Sequence, residues 1–110
     1  MWLLREGDVL AALEVAGTRR ARRRGLLGRD GIDGGLLLRG VRLALVHTIG
    51  MRFPIDVAYC DHEMRVLATT SMRPFRVGML RLRARNIIEA EAGAFARWRL
   101  AVGDVLEVKG

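Results

Sequence analysis

Lysine is almost missing from this 110-residue chain: Lys109 stands alone, and the other eighteen of the nineteen basic residues are arginine. Acids are also few, twelve in all, which leaves a net charge of +7. A basic surface is drawn to nucleic acid, anionic membrane surfaces and acidic proteins alike. Guanidinium adds planar, bidentate recognition of phosphate and carboxylate. A GC-rich genome produces the same arginine bias, so the bias alone assigns no role. Cysteine is limited to Cys60, which excludes an internal disulfide and makes the cytoplasm the expected compartment. Aromatic residues make up 5% of the chain, and Trp2, Trp98, Tyr59 and the three phenylalanines mostly fall at core-like positions, which leaves no stacking platform of the kind a single-strand nucleic-acid binder uses. No apolar run approaches the ~20 residues of a membrane span. Met1 to Glu6 meets charge too soon to read as a secretory signal.

What is present suits one small domain spanning residues 1–110. Residues of hydrophobic type make up 51% of it, enough for a core, and thirteen glycines against two prolines favour frequent turns over long helices. Period-two alternation predicts a strand over Val9 to Val15, with a short edge strand, Trp2 to Arg5, before it. Thr18 is placed to cap a short helix over Arg19 to Arg24, and Gly25 to stop it. Short strands are expected at Gly35 to Leu38, Leu43 to Val46, Ile55 to Cys60 and Arg65 to Ser71. The last two form a hairpin through Asp61, His62 and Glu63. Leu80 to Arg85 alternates leucine or alanine with arginine and reads as a charged edge strand. Asn86 to Ala90 follows as a buried strand, Gly93 to Trp98 as a helical segment, and Val105 to Val108 as the last strand. About eight short strands with two brief helical pieces predict a mainly β, small antiparallel sandwich or barrel.

The stretch His47 to Asp61 organises the chemistry. Pro54 extends the backbone before it, and Ile55, Val57 and Tyr59 then alternate with Asp56, Ala58 and Cys60. A carboxylate in that second set is at least half buried and needs a partner. His47, Arg52 and the arginines between residues 24 and 29 are the candidates. Asp56 then either ties down the turn through backbone N–H groups and an arginine, or pairs with His47 at a site.

Other chemistries find little support. His62 and Cys60 lie on one hairpin, with Asp61 and Glu63 directed away, so no zinc ligand set converges and no metal or cofactor is expected. A mid-strand Cys60 reads as a small core residue rather than a nucleophile. The glycines fall at turns, not between a strand and a helix, so no phosphate loop is present.

Three segments carry a resemblance: Thr18-x-x-x-x-x-Arg24-Gly-Leu-Leu-Gly-Arg29; His47-Thr-x-x-Met51-x-x-Pro54-Ile-Asp56-Val-Ala-Tyr-x-Asp61; and Asn86-Ile-Ile-Glu-Ala-x-Ala-Gly93, followed by Gly103-Asp104. In this order they resemble the DUF192 family of small prokaryotic proteins of unknown function. The resemblance implies a jelly-roll-like sandwich and no activity. It marks Arg24, Gly25, Arg29, Thr48, Met51, Pro54, Asp56 and Gly103-Asp104 as the signature surface. Some members carry a secretory or lipoprotein signal; none is read here.

The expected function is a non-enzymatic binding or accessory module for a small anionic ligand or a protein. Its site would be the His47–Asp56 turn closed by Arg24 and Arg29, with Thr48, Met51, Arg52 and Asp104 as further binding residues. Two alternatives stand beside it. One is a nucleic-acid binder using Arg19 to Arg24 with Arg81, Arg83 and Arg85. The other is an enzyme with His47 as base beside Asp56.

Overall fold

The computed structural model describes residues 1–110. Its elements run β1 (Trp2–Arg5), β2 (Asp8–Ala16), α1 (Arg19–Arg24), β3 (Gly35–Arg39), β4 (Ile55–Cys60), β5 (Val66–Met72), β6 (Asn86–Glu91), α2 (Ala94–Trp98) and β7 (Leu106–Lys109). The seven strands form one sheet in the order β5-β4-β6-β3-β2-β1-β7. The fold is therefore mainly β, with the expected two short helices. The sheet is mixed rather than all antiparallel, because β2 and β3 run parallel, Leu13 beside Gly35 through Ala16 beside Leu38. A parallel neighbour cannot be reached by a tight turn; the chain must cross a face of the sheet and return. The segment carrying α1 makes that crossing.

Strands β3, β4 and β6 are apolar on both faces because both faces are covered. Leu36 and Leu38, Ile55, Val57 and Tyr59, and Ile87 enter one core, with Leu26, Val46, Met51 and Phe53 packed over them. The alternate positions Leu37, Ala58, Cys60, Ile88 and Ala90 enter a second core, closed by Leu3, Ala94, Phe95 and Leu106. Phe95 and Trp98 of α2 pack with ring centroids 5.5 Å apart, as their i, i+3 spacing predicts. The sheet curls over this second core until its two edge strands approach. Arg65 and Val105 form a bridge just before β5 and β7, and the Val66 N–H donates to the Asp104 carbonyl at 2.8 Å.

Local signals place α1 well. The Thr18 side chain accepts from the Ala21 N–H at 3.1 Å, and Gly25 ends the helix at φ +49°. Three expectations fail. Trp2 to Arg5 is no edge strand: β1 lies between β2 and β7. Leu43 to Val46 forms no strand; Ala44 and Val46 point inward, but Leu43 takes φ +51°, and only the single bridges Ala44–Arg81 and His47–Val77 remain. Leu80 to Arg85 is likewise irregular. Leu80 and Leu82 are 50% and 61% exposed while Ala84 is buried, so the Leu/Arg alternation does not divide an inside from an outside.

Candidate functional site

On the face of the sheet that carries the first core, α1 and the segment from Gly40 to His47 stand apart and leave an open cleft of about 560 Å³. Its floor is apolar, built from Leu26, Leu38, Val46, Met51 and Ile87. One lip carries Arg19, Arg22, Arg23 and Arg24 of α1; the other carries Arg42 and His47. The crossover between parallel strands thus brings four arginines over a buried sheet face, which no local sequence feature announces.

Glu89 stands alone as an acid in this lining. It follows Ile87 by two positions on β6 and shares its face, so period two directs the carboxyl into the cleft. It is 6% exposed and has no arginine within ion-pair distance. Removal from water disfavours the ionised form, and burial pushes the carboxyl up to about 7. Gly25 gives it room: a Cβ there would meet Glu89 Oε1 at 3.4 Å. The arrangement offers cationic donors at the rim, an apolar floor, and at its base a carboxyl poised between its neutral and charged forms. Such groups cluster at functional sites.

The residues expected to form the site are divided. Arg24, His47 and Met51 line the cleft; His47 is exposed, and its Nδ1 accepts from the Ile49 N–H at 3.3 Å. Arg29 is instead paired with Glu14 through contacts of 2.7 and 3.3 Å. Arg52 reaches Asp30 at 3.1 Å, with both side chains largely exposed. Asp104 binds Arg5 Nη1 and the Ala101 N–H, each at 2.9 Å, and so fixes the turn before β7.

Asp56 is the main correction. It is 5% exposed, as expected, but no arginine or histidine meets it. Ser71 Oγ donates to it at 2.6 Å, and the N–H groups of Gly93 and Phe95 donate at 3.0 and 3.2 Å. It therefore caps α2 from a neighbouring strand, supplying the acceptor that Gly93 lacks. Asp56 shares the face of Ala58 and Cys60, whereas His47 borders the opposite face, so of the two alternatives for Asp56 the His47 pair is not formed, and the backbone N–H groups it accepts from are those of α2.

Thr48 is fully buried, and its groups bind the chain rather than a free surface. Its hydroxyl donates to the Arg73 carbonyl at 2.5 Å and accepts from the Arg76 N–H at 2.9 Å. Thr48→Val keeps the shape but leaves the Arg76 N–H unpaired. The expected cost is ~2 kcal/mol in urea unfolding, with Thr48→Ser recovering most of it. Equal stability of the Val and Thr proteins would refute this lacing role.

Cys60 is buried, and its thiol is pushed up to about 12 by desolvation and then by the Asp61 charge, which keeps it protonated and unreactive. No group of three or more His, Cys, Asp or Glu side chains is arranged to hold a metal ion. No helix is long and apolar enough to cross a membrane.

The sequence missed Glu89 as a site residue, although a signal was present. Asn86 to Ala90 reads as a buried strand, and a glutamate in such a strand, in phase with Ile87, must face a core or a cleft.

Residues 3–108 match the family model DUF192, described as an uncharacterized ACR. A UPF0127 protein of Pyrococcus abyssi is 33% identical over 64 residues, covering 58% of this chain and 55% of that protein, so the match spans about half of that relative's length. Two solved structures share the fold at 21% identity. One is a protein of unknown function from Novosphingobium aromaticivorans, with a TM-score of 0.77 over 87% of this chain and 74% of that one. The other is a Sinorhizobium meliloti protein described as a suspected transcription regulator, with a TM-score of 0.83 over 96% and 89%.

Proposed function

The chain belongs to the DUF192 family, and for this member we propose a non-enzymatic binding role in which the cleft beneath α1 takes a small, partly apolar anion. One observation carries this reading: four arginines of one short helix border an apolar floor that holds a single acid. A volume of about 560 Å³ suits a small molecule rather than a polymer. The rim attracts the anionic end, and the floor covers the apolar body. Arg24 and His47 would contact the ligand, while Met51 shapes the floor. The lining contains no serine, threonine or cysteine, so it offers no hydroxyl or thiol nucleophile for acyl transfer.

The nucleic-acid alternative loses its second arginine stripe. Arg81 lies over the Tyr59 ring, and Arg85 Nη1 donates to the Leu82 and Ala84 carbonyls at 2.7 and 2.9 Å, so two of the three arginines are engaged with the chain itself.

Hexanoate, with a carboxylate head and an apolar tail, is a suitable probe. In an NMR titration the amides of residues 22–27 and 41–47 are expected to shift together and saturably. Arg23→Gln combined with Arg24→Gln is expected to weaken binding by ~10-fold or more. Affinity is expected to fall as pH rises through about 7, because ionised Glu89 then repels the anion from the floor. Glu89→Gln is expected to remove the part of that pH dependence that comes from the floor. Shifts scattered over the whole surface, or binding unaffected by the double substitution, would remove the basis for the proposal.

A further inference from the structure

A second hollow, of about 480 Å³, lies beyond the bridges that join Ala44 to Arg81 and His47 to Val77. It opens between the end of β5 and the loop from Arg73 to Arg81. Three arginines line it, Arg73, Arg76 and Arg81, and no acid does. None of the three forms an ion pair.

Two donors at its inner end are unused. Tyr59 is 1% exposed, yet its hydroxyl bonds to no protein atom, and Arg81 Nε has no protein partner either. Buried donors are rarely left unpaired, since each forfeits its bonds to water. Both groups are held in place by other means. The Arg81 guanidinium lies 5.4 Å from the Tyr59 ring centroid, and the Arg81 N–H donates to the Ala44 carbonyl at 2.8 Å. Gly78 lets the loop pass close against the hydroxyl: a Cβ there would stand 3.0 Å from Tyr59 Oη and 3.1 Å from the Val46 carbonyl oxygen. Of the other hydroxyls, Ser71 is committed to Asp56, and Thr70 donates to the Ser71 carbonyl at 3.5 Å. Burial raises the Tyr59 pKa, so its hydroxyl remains a donor across the physiological range.

We propose that this hollow is an oxyanion site for a phosphate group, with the Tyr59 hydroxyl and Arg81 Nε as its inner donors and Arg73 and Arg76 closing on the outer oxygens. The chemistry selects the class. The two unpartnered buried groups are donors, three side chains of the lining carry positive charge, and a phosphate dianion supplies both the charge and enough oxygens to meet them from several directions. The site is distinct from the cleft beneath α1 and does not depend on it.

The test is a titration of the intact protein with inorganic phosphate, and in parallel with glycerol 3-phosphate, against chloride at matched ionic strength. Amide shifts confined to residues 70–81 and absent with chloride are expected. Tighter binding of the ester would identify a phosphorylated small molecule as the source, and equal or weaker binding the free ion. Tyr59→Phe keeps the ring under Arg81. It is expected to leave the thermal midpoint unchanged or higher without phosphate, because no protein hydrogen bond is lost, while weakening phosphate binding ~10-fold or more. Arg81→Gln is expected to weaken it at least as much. The proposal is overturned if phosphate moves only the amides of residues 19–25, if its effect equals that of chloride, or if the Phe variant binds phosphate as the parent does. A hydroxyl serving only an internal water would lower the midpoint of the Phe variant and leave phosphate affinity intact, which also overturns it.

Discussion

Glu89→Gln is expected to stabilise the protein by up to ~3 kcal/mol at pH 8 and to change little at pH 4. In the unfolded chain this carboxyl titrates near its ordinary value of 4.5, and in the folded protein near 7. Between those values the folded state binds the extra proton, so the folded protein loses stability as pH rises through the window. Below 4.5 both states are protonated and the penalty vanishes; above 7 both are ionised and it is complete. A shift from 4.5 to about 7 corresponds to ~3 kcal/mol. Glutamine fills the same space without ionising and so removes the dependence. Urea unfolding of both proteins at pH 4, 6 and 8 reads the effect directly. A difference between them that stays constant with pH would mean that Glu89 is solvated, and the polarity assigned to the cleft would be wrong.

Asp56→Ala is expected to cost ~3 kcal/mol, because three donors lose one shared acceptor. Two of them, the Gly93 and Phe95 N–H groups, lie at the start of α2 and cannot reach another partner without unwinding it. Asp56→Asn keeps one carbonyl oxygen and is expected to recover about half of the loss. Hydrogen exchange separates this capping role from a general packing defect: in the Ala protein the Gly93 and Phe95 amides should lose protection before the amides of β4 do. A measured loss below ~0.5 kcal/mol would show that α2 holds itself in place. An ion pair at Asp56 predicts a similar cost, but only capping predicts where exchange begins.

The cleft was half legible. Arg24, His47 and Met51 stand out in the sequence as parts of a specific pattern, and the structure places them along one opening. Arg29, Arg52 and Asp104 stand out equally, but each is held by an oppositely charged neighbour distant in sequence: Glu14, Asp30 and Arg5. Thr48 stands in the sequence as a residue to bind a ligand and instead binds the backbone of the 73–76 loop. A polar residue's type tells what bonds it can make, not which partner the fold will deliver.

Elements whose causes are local can be read from the chain alone. Thr18 and Gly25 bound α1 through hydrogen bonds and backbone sterics within one turn. The doubly apolar pattern of Ile55 to Cys60 and Asn86 to Ala90 requires strands covered on both faces. Tertiary structure decided everything that depends on a neighbour. Leu43 to Val46 and Leu80 to Arg85 are composed like strands, but composition supplies no extended partner for their N–H and carbonyl groups, which a strand also needs. The parallel pairing of β2 with β3, the capping of α2 by Asp56 and the placement of Glu89 under the arginines of α1 all join residues far apart in the chain. Their geometry follows from how the sheet closes over its two cores.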